Sequence, residues 1–261
     1  MKIIANETTY AQRCLNCGYI DKKKSYKSIR AVVRYLKNKC DIKDIDIMVA
    51  IVQDYISNTG VEVSIDEVTI KTMMNEETPY YELESINITR KEIDTITSLK
   101  YPHSYKKILF AMLVQYKVKR VLLGVNNNRI EREAGEILGD AHVSLLKSKQ
   151  MEMWRQFLED GLITIEDGGK KAKYVYLNYI DNINTYDEYG LNVYDLNFSQ
   201  YYLHFEQYLK GGKLIKCEEC GKLELTKPTV GSPSRYCEEC GKKVRKDVKS
   251  KINQKYRDKQ K

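Results

Sequence analysis

Apolar positions in the first sixty residues recur at helical spacing. Residues 8–17 predict a helix, and Gly18 stands where a C′ glycine would close it. A second helix is expected after Ser25, read as its N-cap. Ile29, Val32, Val33 and Leu36 form its apolar stripe, and Lys27, Arg30, Arg34 and Lys37 fall mostly on other faces. A third helix over 42–56 would bury Ile45, Met48, Val49, Val52 and Ile56 and end at Asn58-Thr-Gly60. Residues 61–70 alternate briefly (Val61, Val63, Ile65), which suits a short strand or an extended link. Residues 71–98 are weakly patterned, with a loop at Glu76-Glu-Thr-Pro79.

The middle of the chain is more sharply written. A strongly apolar helix is expected over 103–119, with Ile108, Leu109, Met112, Leu113 and Tyr116 on its buried face. After the polar break at 124–128, a shorter helix over 129–138 would bury Ile130, Ala134, Ile137 and Leu138. A further helix begins at 145 or 149 and runs to 160, with Trp154, Phe157 and Leu158 toward the core. Then 162–165, a turn at Glu166-Asp-Gly-Gly169 and 173–177 predict a β-hairpin. Three helices followed by a hairpin is the order of a winged helix-turn-helix. Residues 181–212 are rich in Asn and Tyr and read as a connector packed on that module, with a short helix within 198–209 and His204 as a packed residue.

The chemistry lies further on. Cys217-Glu-Glu-Cys220-Gly221 and Cys237-Glu-Glu-Cys240-Gly241 are two CxxC pairs with sixteen residues between them. That spacing suits a closed four-cysteine zinc site, with Zn²⁺ in a structural role because no position is left for water. Between the pairs, 223–228 and the Gly231-Ser-Pro-Ser turn suit a hairpin, so the segment reads as a zinc ribbon. The rival, two disulfides, needs an oxidising compartment. Cys14-Leu-Asn-Cys17-Gly18 imitates the pairs and Cys40 offers a third thiol, but no fourth lies nearby, so these read as helix residues without metal.

Charge divides the chain. Residues 1–40 carry ten Lys/Arg against Glu7 and Asp21, and 242–261 carry ten against Asp247 and Asp258, a net of +8 at each end. The stretch between them is net acidic, so a polyanion would be drawn to the ends. After the second CxxC, Val244, Val248, Ile252 and Tyr256 recur every four residues. They predict a basic helix that is marginal alone and orders on binding. No apolar run approaches the roughly 18 to 20 residues of a membrane span, and the N-terminus has no signal-peptide pattern. The expectation is a cytoplasmic protein without a membrane partner. There is no phosphate-binding glycine loop, HExxH or GxSxG, and His103, His142 and His204 have no evident nucleophile partner, which argues against an enzyme.

The fold class expected is therefore mainly α with small β. It comprises a helical region (1–98), a winged-helix-like domain (99–182), a connector (183–212), a zinc ribbon (213–241) and a basic tail (242–261). The metal ligands are Cys217, Cys220, Cys237 and Cys240. Nucleic acid would meet Ser148, Lys149, Arg155 and Gln156 on the helix before the hairpin, together with its neighbour Glu152. It would also meet Lys171 at the wing tip, and Lys242, Lys243, Arg245, Lys246, Lys249 and Lys251 in the tail, with a further contribution from Lys22 to Arg34.

Further residues carry a resemblance. They are Gly18-Tyr-Ile-Asp21-Lys with Ser28-Ile-Arg30, then Lys106-Lys-Ile-Leu-Phe110-Ala-Met-Leu and Leu158-Glu-Asp-Gly161-Leu-Ile163. The cysteine segments from Lys216 to Gly221 and from Arg235 to Cys240 complete the set. In this layout the chain resembles a family of zinc-ribbon, winged-helix-like proteins encoded on prophages and mobile elements of low-GC Gram-positive bacteria. The resemblance implies a phage or mobile-element regulator or replication accessory. Double-stranded DNA is the partner expected. The alternatives are a factor that docks on host RNA polymerase or a host defence protein, and an RNA-binding protein.

Overall fold

Helix caps decide where the first elements begin and end. In the computed structural model, which describes residues 4–22, 24–125, 127–130, 134–167, 173–181, 187–198, 200–226 and 235–258, the chain is mainly helical with short strands. At 134, 167, 173, 198, 247, 249 and 251–258 only the backbone is described. Helix α1 (Glu7–Cys17) starts at Asn6, whose side chain accepts from the Thr9 amide at 2.9 Å, and stops at Gly18 in the left-handed region. Helix α2 (Ser25–Lys39) has Lys24, not Ser25, at its N-cap, with no side-chain cap. Asp21 turns the chain into it instead, accepting from the Lys24 amide through both its carbonyl (3.0 Å) and its carboxylate (3.2 Å). Helices α3 (Ile45–Thr59) and α4 (Glu67–Met74) are capped by Asp44 and Asp66. So 61–66 is an extended link, and part of the weakly patterned stretch after it is helical. Tyr10, Cys14, Ile29, Val32, Met48, Val52 and Ile70 make the shared core.

Within this core sits one charged pair. Arg34 grips Glu7 with two parallel hydrogen bonds (2.5 and 3.0 Å) and also donates to the Thr78 hydroxyl and to the Thr78 and Pro79 carbonyls. Both side chains are almost wholly buried. A fully satisfied bidentate guanidinium is one of the few ways a charge is tolerated inside.

Strand β1 (Ser85–Ile88) and helix α5 (Arg90–Ser98) follow, the latter opened by a capping box between Thr89 and Glu92. Helix α6 (His103–Leu123) is the axis of what comes next: from Ile108 to Val114 every residue is fully buried. A helix covered all round must lie inside, not on, its neighbours. Around it come strand β2 (Arg129–Ile130), helices α7 (Ala134–Asp140) and α8 (Lys147–Glu159), and strands β3 (Ile163–Asp167) and β4 (Lys173–Leu177). The helix expected over 129–138 is thus shorter: Arg129 and Ile130 pair with Tyr176 and Val175, and cross-strand pairing wins over helical spacing there. The sheet order is β2-β4-β3, all antiparallel. Leu158 is 41% exposed and not part of the core; Met153 and Phe157 are the fully buried residues of α8.

Strand β5 (Leu191–Tyr194) lies in the stretch read as a connector, and it returns to the start of the chain. It pairs antiparallel with β1, Ser85 facing Tyr194. Gly190 is required at that turn, since a Cβ there would come within 2.4 Å of the Ile88 carbonyl oxygen. Buried Asn197 then bonds both the amide (3.0 Å) and the carbonyl (2.7 Å) of Asn6. Buried Glu92 adds a similar tie, pairing with Lys117 at 2.8 Å and accepting from the Asp181 amide at 3.1 Å.

The chain divides into two compact units, Met1–Tyr202 and Leu203–Lys261. Helix α9 (Tyr202–Lys210) leads into the second, where strands β6 (Lys213–Lys216) and β7 (Leu223–Thr226) form an antiparallel hairpin and helix α10 (Glu238–Asp258) follows. The turn expected over 231–234 lies outside the described residues. No helix among the described residues is long and apolar enough to cross a membrane.

The buried pair supplies a test. Arg34→Met is expected to cost about 3–5 kcal/mol because it strands Glu7. Arg30→Ala, which breaks the more exposed pair with Glu76, should cost about 0–1 kcal/mol. Urea unfolding measures both, and equal losses would show that the burial of Arg34 carries no special weight.

Candidate metal centre

The first CxxC pair sits at the turn of the β6–β7 hairpin. The chain bends there because the Gly221 amide donates to the Cys217 carbonyl at 2.8 Å and the Cys217 amide donates to the Lys222 carbonyl at 2.9 Å. Gly221 has φ +66, a conformation that glycine adopts without a Cβ clash. Of the hairpin expected between the pairs, from 223–228 and the 231–234 turn, only 223–226 lies among the described residues, as β7 paired with β6. Cys237 directly precedes α10 and Cys240 lies in its first turn. The two halves are joined by the Glu218 amide, which donates to the Arg235 carbonyl at 3.0 Å.

All four Sγ atoms lie within 4.8 Å of one another. Thiolates bound at about 2.3 Å to one tetrahedral ion would stand about 3.8 Å apart. Cys220 and Cys237 are 3.8 Å apart, nearly twice an S–S bond of about 2.0 Å, and all seven cysteines are free thiols. Cys217, Cys237 and Cys240 are buried and Cys220 half-buried, with Tyr236 packed against them. The group can therefore hold a metal ion. It is the one cluster of three or more metal-binding side chains among the described residues.

The thiols are electrostatically unequal. Burial opposes ionisation of Cys217, but the amides of Cys237, Cys220 and Glu219 point at its sulfur and pull its pKa down to about 6. Burial raises Cys220, and a hydrogen bond with Cys237 raises Cys240 well above the ordinary thiol value. One thiolate comes easily, while four need a cation among them.

Glu224, in β7, is a site residue that the sequence reading missed. Its carboxylate accepts from the Glu238 amide at 2.9 Å, at the start of α10. The signal was present only as a polar residue between Leu223 and Leu225.

The other cysteines stay apart. Cys14 is fully buried, and burial pushes its thiol up to about 11, while Cys17 and Cys40 are exposed. His204 is buried, and His142 stacks on Tyr202 with centroids 4.9 Å apart.

Of the residues expected to meet nucleic acid, Ser148, Lys149 and Arg155 are exposed on α8 and Gln156 is half-buried. Phe157 anchors that helix against Tyr101 and Tyr105. Lys149 pairs with Glu152 at 2.8 Å and Arg155 with Glu159 at 3.7 Å, both at the surface. Lys149 and Gln156 also line a cleft of about 530 Å³ beside the start of α6, together with Lys100, Tyr101 and Ser104. Lys171 lies outside the described residues, as do the side chains of Lys249 and Lys251 on α10. Lys242, Lys243, Arg245 and Lys246 are exposed on its first turns, and Lys242 pairs with Glu238 at 2.6 Å.

Several cations of the N-terminal region are engaged within the unit. Arg34 is buried on Glu7, Arg30 pairs with Glu76, and Lys24 pairs with Glu136 at 2.6 Å. Lys37 donates to the Met74 carbonyl. Within the stretch expected to touch phosphate, Lys22 to Arg34, three cations are thus paired with carboxylates, while Lys22 is exposed.

No family model, curated protein or solved structure matches this chain.

The centre is expected to bind one equivalent of metal ion per chain, measured by elemental analysis of dialysed protein. Cys217→Ser should lose the ion while the helical circular-dichroism signal of 1–202 persists. Retention of the full equivalent in that variant would rule out Cys217 as a ligand.

Proposed function

We propose that this protein binds double-stranded DNA as a transcription regulator, with zinc as the structural ion of the four-thiol centre. The observation that carries the reading is the order α6-β2-α7-α8-β3-β4 with β4 between β2 and β3. That order supports reading the segment as a winged helix. In such a module the helix before the hairpin enters the major groove. Here that helix is α8, and Ser148 and Arg155 stand on its exposed face. A Ser hydroxyl and an Arg guanidinium can read base edges. The exposed ion pairs of Lys149 and Arg155 are weak enough for a phosphate to displace the carboxylates.

Zinc is favoured by the donor set. Four thiolates in a tetrahedral arrangement suit a soft-tolerant ion with no open position. The exposed cations of α10 would add phosphate contacts, which supply affinity without reading sequence. The mobile-element setting follows from the resemblance in the cysteine segments and α6.

One observation favours a second reading, docking on a host protein such as RNA polymerase. Met151 is 65% exposed, and Leu158 is exposed along the same side of α8. Apolar groups on an outward helix face suit a protein surface better than a phosphate backbone.

Duplex binding measured against salt separates the readings. Deleting 242–261 should flatten the log–log salt slope by about 0.9 for each phosphate that the tail no longer neutralises. Arg155→Ala should relax sequence preference, at a cost of about 1–3 kcal/mol on the preferred site. A full chain that ignores duplex at low ionic strength, yet is pulled down with a host protein after nuclease treatment, would replace the first reading with the second.

A further inference from the structure

Two of the four thiols belong to a helix start. Cys237 stands in the N-cap position of α10, and its Sγ accepts from the Cys240 amide at 3.5 Å. A Ser or Asp oxygen makes the same bond in an ordinary N-cap. Glu224 takes the Glu238 amide at 2.9 Å, so a second otherwise orphaned donor of the first turn is also met. Glu238 and Glu239 place negative charge at the positive end of the helix. An ion that holds both Sγ atoms fixes the backbone of that turn, because Cys240 lies three residues beyond Cys237.

Beyond the first turn the described side chains, 242–246, 248 and 250, give α10 little support. Val244 is half-buried and Val248 is 51% exposed, while Lys242, Lys243, Arg245 and Lys246 all face solvent. Lys242 and Lys246 are four apart on the helix, a spacing at which like charges repel. Forming the first turn is the costly step for any helix. A helix whose described side chains beyond the first turn are mostly exposed depends on whatever supplies that turn.

We infer that the four-thiol centre is the nucleus of α10, so that metal occupancy decides whether the cation-bearing helix is formed and presented. The inference rests on the metal reading above and deepens the DNA-binding one, since it makes the phosphate contacts of α10 conditional on the ion. Loading would couple the centre to binding without the ion touching the nucleic acid.

Hydrogen exchange on the full chain tests this, with elemental analysis of the same samples. Zinc-loaded protein is expected to carry one equivalent and to protect amides 242–258. Stripping with a chelator should speed their exchange at least about tenfold. Amides of α2 and α6 should be unchanged, and re-addition of zinc should restore protection. If zinc leaves and 242–258 stay protected, or if they are unprotected with zinc bound, the nucleus is elsewhere and the metal reading stands. Collapse of protection in α2 and α6 on stripping would also overturn the inference, because the effect would not be local. If the protein binds no zinc at all, the metal reading itself fails and this inference falls with it.

Discussion

Four sulfur atoms within 4.8 Å of one another form a crowd that cannot all ionise without a cation in its midst. The second unit depends on that constraint. Its cysteines, with Tyr236 against them, form a compact buried cluster of their own, where a larger domain would place aliphatic side chains. Units of this size rarely build enough apolar core to hold a fold without a metal or disulfide staple. The hairpin delivers one pair of thiols and the start of α10 delivers the other, so a single ion would close a long loop and open a helix together.

The first unit solves the opposite problem. It has ample apolar core, the central turns of α6 above all, and must place a few charges within it. Arg34 with Glu7 and Lys117 with Glu92 are held by hydrogen bonds from several elements. Such pairs add little net stability compared with apolar residues, but removing one partner is costly, so they pin loops and termini to one arrangement. They also alter the electrostatic map. Part of a basic stretch in sequence is matched to carboxylates in space, Arg34 in the interior and Arg30 and Lys24 nearer the surface.

The packing of α8 follows from aromatic contacts. Phe157 packs against Tyr101 and Tyr105, which also touch each other, and Trp154 meets it edge-on at 6.1 Å. These rings fix which side of the helix faces inward. Ser148, Met151 and Arg155 are left outside, a mixed surface that can serve bases or a protein, and the β3–β4 hairpin stands directly after it in the chain.

The sequence alone determined the features whose signals are local. Asn6, Asp44, Asp66 and Thr89 start helices through bonds that span two or three residues, local signals that a reading by periodicity passes over in favour of Ser25. Gly18 ends one, the β3–β4 hairpin follows from two apolar runs around a turn, and the CxxC spacing marks the ligands. Only the tertiary structure decided the rest. The β1–β5 pairing joins residues about a hundred positions apart, β2 owes its strand to a partner across the sheet, and Arg34 is buried because Glu7 and the 78–79 carbonyls surround it. The second CxxC opens a helix whose first amides are accepted by Glu224 of β7 and the Cys237 sulfur. Periodicity and caps are written in contiguous residues. Pairing, burial of charge and capping from a distant strand depend on which neighbours the folded chain supplies, and no contiguous stretch encodes that.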